Sequence, residues 1–317
     1  MKKKISIAAT CYNEINLIEN FVDKISNTLD KYLYKYEYEI IISDNNSTDG
    51  TIDELRKICI NNKKVKVLIN FKNYGAEKSS LNCLKLTTGD VIITSNIDLE
   101  EGTKIIENFI QEWESGKTFS VGKKAKENPT ILLKTLKKLF YFFFNKFSAV
   151  ELIPNSTSIM LGKQMLEKLV QFGENNADPF VRSLAIEALG PPQSIVEADY
   201  NPRIVGYSKH NLFDLYSIAS SGFFKSTSFK MPKYITLTSI CFLIIVIICF
   251  LITLTLNIFK IINLSFFEII FSTIILIFLS TILIFCGFIM EYLISILTAL
   301  KNEKVVLKEK INFDQNK

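Results

Sequence analysis

Thr88-Gly89-Asp90-Val91-Ile92-Ile93-Thr94-Ser95-Asn96-Ile97-Asp98-Leu99-Glu100-Glu101 is the stretch on which the fold turns. A Gly-Asp turn feeds a short apolar run of β-branched residues, and the run ends abruptly in acids. That is how a central strand reads when both faces are buried and its carboxyl end opens onto a site. In open α/β sheets, ligands bind just beyond those ends. In an extended segment Asp98 and Glu100 would point the same way, so their carboxylates could hold a hard divalent cation against phosphates. An exposed loop whose acids merely complement the next helix N-terminus has the same composition.

Upstream the pattern repeats. Ile5–Thr10 is a strand ending at Cys11-Tyr12-Asn13-Glu14, followed by a helix with Leu17, Ile18, Phe21, Ile25 and Leu29 at helical spacing. Tyr38–Ser43 is a second strand, ending at Asp44-Asn45-Asn46-Ser47-Thr48-Asp49-Gly50-Thr51, and a helix starts at Thr51. Val65–Ile69 is a third, followed by Asn73-Tyr74-Gly75-Ala76 and a helix from Glu77 to Leu86. This alternation predicts an α/β fold with a parallel sheet and helices on both faces. Each strand ends in a polar cluster. Asp44, directly at a strand end, could accept hydrogen bonds from a nucleobase or ribose, while Ser47, Asp49 and Thr51 can cap the next helix.

Of 317 residues, 48% are hydrophobic, and the apolar excess lies after Met231. The net charge of +5 comes from lysine, with arginine only at 56, 182 and 203. Lysine excess beside apolar spans suggests an anionic lipid surface, and no nucleic-acid-binding motif is present. The six cysteines have no CxxC pair or metal-ligand spacing, and the single histidine, His210, excludes a multi-His metal site. The apolar run behind Lys2–Lys4 breaks at Asn13-Glu14, so no signal peptide is expected and the globular part should stay cytoplasmic.

Tyr12-Asn13-Glu14, the Asp44–Thr51 cluster, Asn73-Tyr74-Gly75, Gly89-Asp90 and Asn96-Ile97-Asp98-Leu99-Glu100 follow in order and spacing. In this the chain resembles the family 2 nucleotide-diphospho-sugar glycosyltransferases. The resemblance implies a GT-A fold, Rossmann-like with a mostly parallel sheet. It implies nucleotide contacts from Thr10, Tyr12, Asn13, Glu14, Asp44, Asn46, Gly75, Lys78, Asn96 and Ile97. Asp98 would be the second acid of a metal-binding Asp-x-Asp motif and a catalytic residue, with Glu100 in the place of a frequent Gln and Mg²⁺ or Mn²⁺ as the metal. Asn96 departs from the pattern, which usually has Asp there; an amide oxygen still ligates these ions but removes a charge. Lys123 and Lys124, after the strand Phe119–Gly122, stand where the family holds the donor diphosphate.

Residues 130–147 (TILLKTLKKLFYFFFNKF) read as a basic, Phe-rich helix lying in a membrane interface. Here the chain is similar to dolichyl-phosphate sugar synthases and bactoprenol glycosyltransferases, although Ile153–Leu161 lacks their Asp-x-Arg pattern. Arg203-Ile204-Val205-Gly206-Tyr207-Ser208-Lys209 matches their Arg-x-x-Gly-x-Ser-Lys segment. It implies that Arg203 and Lys209 act catalytically on the diphosphate and lipid phosphate. Residues 234–256 and 269–290 are each long and apolar enough to span a bilayer. Lysines precede the first span and follow the second, predicting a hairpin with both flanks cytoplasmic. The domains expected are therefore 1–211 (catalytic), 212–233 (juxtamembrane and amphipathic), the two-helix hairpin, and a cytoplasmic tail, 291–317.

The reading that follows is an inverting glycosyltransferase in the cytoplasmic membrane. It would move a sugar from a nucleotide diphosphate, UDP favoured, to polyprenyl (undecaprenyl) phosphate. Relatives imply a homo-oligomer through the membrane helices. A processive polysaccharide synthase would need a Gln-x-x-Arg-Trp motif, and Trp113, the only tryptophan, lacks that context. Asn96 and the absent Asp-x-Arg pattern motivate a non-enzymatic alternative, a membrane-anchored scaffold that binds nucleotide sugar without turnover.

Overall fold

The computed structural model describes residues 2–99, 102–124, 151, 153–174, 181–198 and 304–313, with scattered helical positions within 135–146 and 271–296. Its elements are β1 (Lys3–Cys11), α1 (Ile15–Asp30), β2 (Tyr36–Asp44), α2 (Thr51–Asn61), β3 (Val65–Asn70), α3 (Ala76–Lys85), β4 (Val91–Thr94), α4 (Lys104–Glu114), β5 (Phe119–Lys124), β6 (Ser156–Gly162), α5 (Lys163–Glu174), α6 (Val181–Leu189), β7 (Ser194–Ala198) and β8 (Leu307–Ile311). The strands form one sheet in the order β7-β5-β6-β4-β1-β2-β3-β8. Its centre, β4-β1-β2-β3, is parallel as expected. β6 and β8 run antiparallel to their neighbours.

Alternation along each strand builds the two cores. Ile5, Ile7, Ile40, Ile42, Val67 and Ile93 pack with Phe21 and Ile25 of α1, Leu55 of α2 and Phe109 of α4. On the other face Ala8, Ile41, Leu68 and Ile92 meet Leu84 of α3, Leu169 of α5 and Leu184 of α6. Phe21 is fully buried, and its truncation to Ala would cost about 3–5 kcal/mol. The opening stretch is thus a central strand, β4, covered on both faces.

β4 is fixed at its start. Asp90 N donates to Lys4 O (2.7 Å) and Asp90 Oδ2 accepts from Lys4 N (2.8 Å). A Cβ on Gly89 would lie 2.6 Å from Ser6 Oγ and 2.8 Å from Ser6 N, so only glycine lets the turn approach β1 this closely. Beside it Glu39, 1% exposed, accepts from Lys4 Nζ (2.7 Å), Lys66 Nζ (2.8 Å), Ser6 Oγ (2.7 Å) and Thr88 N (2.7 Å). Burial alone would raise its pKa, but these donors outweigh burial and hold it at about 2.

Within the expected tail, 291–317, Leu307–Ile311 forms β8 at the edge of the sheet. Arg56 pairs with Glu309 (2.7 Å), and Asn312 Nδ2 donates to Cys59 O and Val65 O, both 2.8 Å. Among the described residues no helix is long and apolar enough to cross a membrane. The expected span 234–256 lies outside the described residues, and 269–290 is represented only by scattered helical positions.

Candidate active site

The carboxyl ends of β1 and β2 are tied into one unit. Asn13 N donates to Ser47 Oγ (2.9 Å), Thr48 N to Asn13 Oδ1 (2.8 Å) and Glu14 N to Thr51 Oγ1 (3.0 Å). Asn13 and Asn46 take left-handed backbone conformations, φ 54° and 63°, which asparagine tolerates better than most residues. Asp49 serves both helix starts, accepting from Ile15 N of α1 (3.2 Å) and Thr51 N of α2 (3.0 Å). Burial raises its pKa, yet the bonds from Thr51 and Ile15 prevail and lower it.

Asp44 is fully buried, and its carboxylate accepts from Ser47 N (2.8 Å), Ser47 Oγ and Cys11 Sγ (3.4 Å). Burial, then the Asp44 charge, pushes the Cys11 thiol well up, so Cys11 is no thiolate. Next to it lies a group centred on Asn45, to which the sequence assigned no role. Asn45 Oδ1 accepts from Asn70 Nδ2 (3.2 Å), Ser79 Oγ (3.0 Å) and Tyr74 N (2.9 Å), while its Nδ2 donates to Asn73 Oδ1 (2.6 Å). Asn73 Oδ1 also accepts from Gly75 N (2.9 Å). These amides shape the turn that carries Gly75 (φ 88°) and brings Lys78, in the first turn of α3, to the same end of the sheet. A signal was present for Asn70, a polar residue directly after the apolar run Val67–Ile69.

The end of β4 differs from expectation. Asn96–Leu99 is a turn, not an extended segment: Leu99 N donates to Asn96 O (3.2 Å) and Leu99 has φ 48°. Ile97 and Leu99 are both buried, and anchoring these two side chains in the core bends the chain between them. Asp98 therefore sits in a turn and not on an extended backbone, and Glu100 lies outside the described residues. Asn96 is exposed and Asp98 half-buried. Among the described residues no cluster of three His, Cys, Asp or Glu is gathered. An amide oxygen with one carboxylate fits a hard cation completed by substrate phosphates and water, not an all-protein cage.

Thr10 and exposed Tyr12 end β1, at the same end of the sheet as Asp98. Lys123 and Lys124 end β5, two strands from β4 and so ~10 Å away across the sheet. Arg203 and Lys209 lie outside the described residues.

Sheet order, two helical layers and this polar rim define a glycosyltransferase with a GT-A-like α/β fold. The chain belongs to glycosyl transferase family 2, matched over residues 6–171. A bactoprenol glucosyl transferase of Shigella phage SfX is 26% identical over 230 residues, 72% of this chain and 74% of the relative. The prophage bactoprenol glucosyl transferase homolog of Escherichia coli (strain K12) is 25% identical over 230 residues, with the same coverage of 72% and 74%. A mannosyltransferase from Pyrobaculum calidifontis, solved in complex with GDP-Man and Mn²⁺, is 17% identical with a TM-score of 0.48, covering 71% of this chain and 63% of that one. The chain is an enzyme of the glycosyltransferase class.

Proposed function

We propose that the protein transfers a sugar from a nucleotide diphosphate, UDP in preference, to polyprenyl phosphate at the cytoplasmic face of a membrane, with inversion at the anomeric carbon. The observation that carries this reading is the convergence of the Asn13, Asp44, Gly75 and Asp98 motifs on one end of the parallel sheet. The bactoprenol named in two relatives supports the lipid acceptor.

An acceptor phosphate oxygen, anionic near neutral pH, forms the bond to the anomeric carbon. The bond from that carbon to the diphosphate breaks, and its electron pair leaves with the nucleoside diphosphate. No strong general base is needed, which suits a chain with one histidine. Mg²⁺ or Mn²⁺ held by Asp98 with Asn96 and Glu100 would supply charge for the leaving diphosphate. Lys123, Lys124, Arg203 and Lys209 are assigned to the same anionic groups. The protein's main task is to position two anionic substrates.

The membrane reading rests on the sequence, where residues 234–256 and 269–290 are each long and apolar enough to span a bilayer. The test is transfer of labelled sugar from UDP- and GDP-sugars to undecaprenyl phosphate, with and without Mn²⁺. Metal-dependent product is expected; nucleotide binding with no product from any donor would overturn the reading.

A further inference from the structure

We propose that Phe71 and Val306 form a docking surface that seats one corner of the sheet on an anionic lipid bilayer and holds the candidate site against it. The proposal rests on the polyprenyl-phosphate reading and deepens it by naming the face of the catalytic domain that meets the lipid.

β3 is parallel to β1 and β2, so Phe71, directly after Asn70, stands at the same end of the sheet as Asp44 and Asp98. β8 runs the other way, so the chain enters it at that end. Phe71 N donates to Val306 O (2.9 Å), which ties the two segments side by side. Both side chains face outward, Phe71 64% and Val306 55% exposed. The turn after Phe71 is held by Asn45 Oδ1, which accepts from Tyr74 N, and by Asn73 Oδ1, which accepts from Gly75 N. An ordered loop therefore presents the ring.

The neighbours of these two side chains identify the partner. Lys72 follows Phe71, and exposure alternates along residues 304–310, so Lys304, Val306 and Lys308 share one face. Glu309, the acid of β8, lies on the other face and pairs with Arg56 (2.7 Å). An aromatic ring and a branched aliphatic among lysines suit the boundary between acyl chains and anionic headgroups. The apolar tips enter while the ammonium groups stay with the phosphates. A nucleobase also stacks on a ring, but β3 and β8 stand three and four strand spacings from β4, about 14 and 19 Å. Their edge flanks the Asp98 end and does not line it. The course of the chain agrees. Only fourteen residues separate position 290, the end of the second span-length apolar stretch, from Lys304. Even fully extended they reach no more than ~50 Å, which keeps this corner close to that stretch.

The experiment uses the full chain in nanodiscs of phosphatidylglycerol, with and without bromine on the acyl chains. Phe71→Trp places a fluorophore at the corner, and Tyr34→Trp, exposed between α1 and β2 at the amino end, is the control. The native Trp113 signal is subtracted with the wild type. Emission from position 71 should move to the blue and be quenched by brominated chains, while emission from position 34 should do neither. Phosphatidylcholine in place of phosphatidylglycerol should weaken the quenching. With Phe71→Ser and Val306→Ser combined, KM for undecaprenyl phosphate in the disc should rise on the order of tenfold. UDP affinity and melting temperature should hold. Absent quenching at position 71, or equal quenching at 71 and 34, would overturn the proposal. Undiminished quenching in phosphatidylcholine would overturn its anionic part. Loss of UDP affinity in the serine variant would overturn it as well, making Phe71 a nucleotide contact. Wild-type chain that does not enter nanodiscs would remove the membrane reading itself. Quenching at position 71 in a chain that transfers no sugar to undecaprenyl phosphate would remove the acceptor reading and leave the docking surface standing.

Discussion

Two polar clusters lie at opposite ends of the same strands. At the amino end of β4, Glu39 takes five hydrogen bonds from Lys4, Lys66, Ser6 and Thr88 and is almost fully covered. At the carboxyl ends, amides and hydroxyls hold loops in place while Tyr12 and Asn96 stay exposed. A saturated ionic cluster has nothing left to offer a ligand, so it serves stability. The rim spends part of its polar groups on its own backbone and presents the rest. Asp44 sits in the rim but is built like Glu39, buried and internally bonded. Its first task is to shape the turn through Ser47, and any nucleotide contact comes on top of that.

The sharpest way to break this comparison is Glu39→Ala, which leaves Lys4 and Lys66 without their shared carboxylate. Chemical denaturation should register a loss of about 3–5 kcal/mol. Nucleotide affinity of the folded fraction should not change. The same group predicts a pH dependence. Its folded pKa, about 2, lies below the unfolded value of about 4.5, so its contribution is complete above pH ~4.5 and is lost as pH falls toward 2. The loss should approach ~3 kcal/mol, and Glu39→Gln should flatten it.

Asp98→Ala tests the other side. Transfer should drop on the order of 100-fold, equivalent to about 2.7 kcal/mol of transition-state stabilisation. Denaturation should move by no more than about 0.5 kcal/mol, because Asp98 is not part of the core. A large stability loss would make Asp98 a structural residue and dissolve the contrast between the ends.

Asn45→Ala falls between. It removes the acceptor shared by Asn70, Ser79 and Tyr74 N, at a cost of about 1–3 kcal/mol. Because the same amide shapes the Asn73–Gly75 turn, nucleotide affinity should fall with stability, a coupling that neither Glu39 nor Asp98 should show.

Much of this was legible in the residues. The apolar runs Ile5–Ala9, Ile40–Ile42 and Val91–Ile93 alternate with helix-period segments, and burial on both faces explains why such runs must be central strands. The polar strand ends marked the rim for the same reason. Other parts were hidden because their cause is tertiary. Nothing local distinguishes Glu39 from an outward-facing acid in an alternating strand. The turn at Asn96–Leu99 depends on where the core receives Ile97 and Leu99. The Ile153–Leu161 stretch, compared above only for the Asp-x-Arg pattern it lacks, contributes most of the antiparallel strand β6 beside β4.

β8 was the least legible element, and it carries the smallest prediction. Leu307-Lys308-Glu309-Lys310-Ile311 has no apolar run and only half-buried or exposed side chains, so little hydrophobic burial holds it. Its hold must come from β3 pairing, the Arg56–Glu309 pair and the Asn312 amide. Surface ion pairs contribute between nothing and about 1 kcal/mol, which leaves the amide as the more dependable side-chain tie. Asn312→Ala should therefore cost about 1 kcal/mol locally. Hydrogen exchange at Lys310 and Ile311 should quicken while β1 and β2 amides keep their protection, because an edge strand can open without the centre. If the central amides quicken equally, β8 belongs to the cooperative core, and the sheet depends on its far edge as much as on the Glu39 cluster.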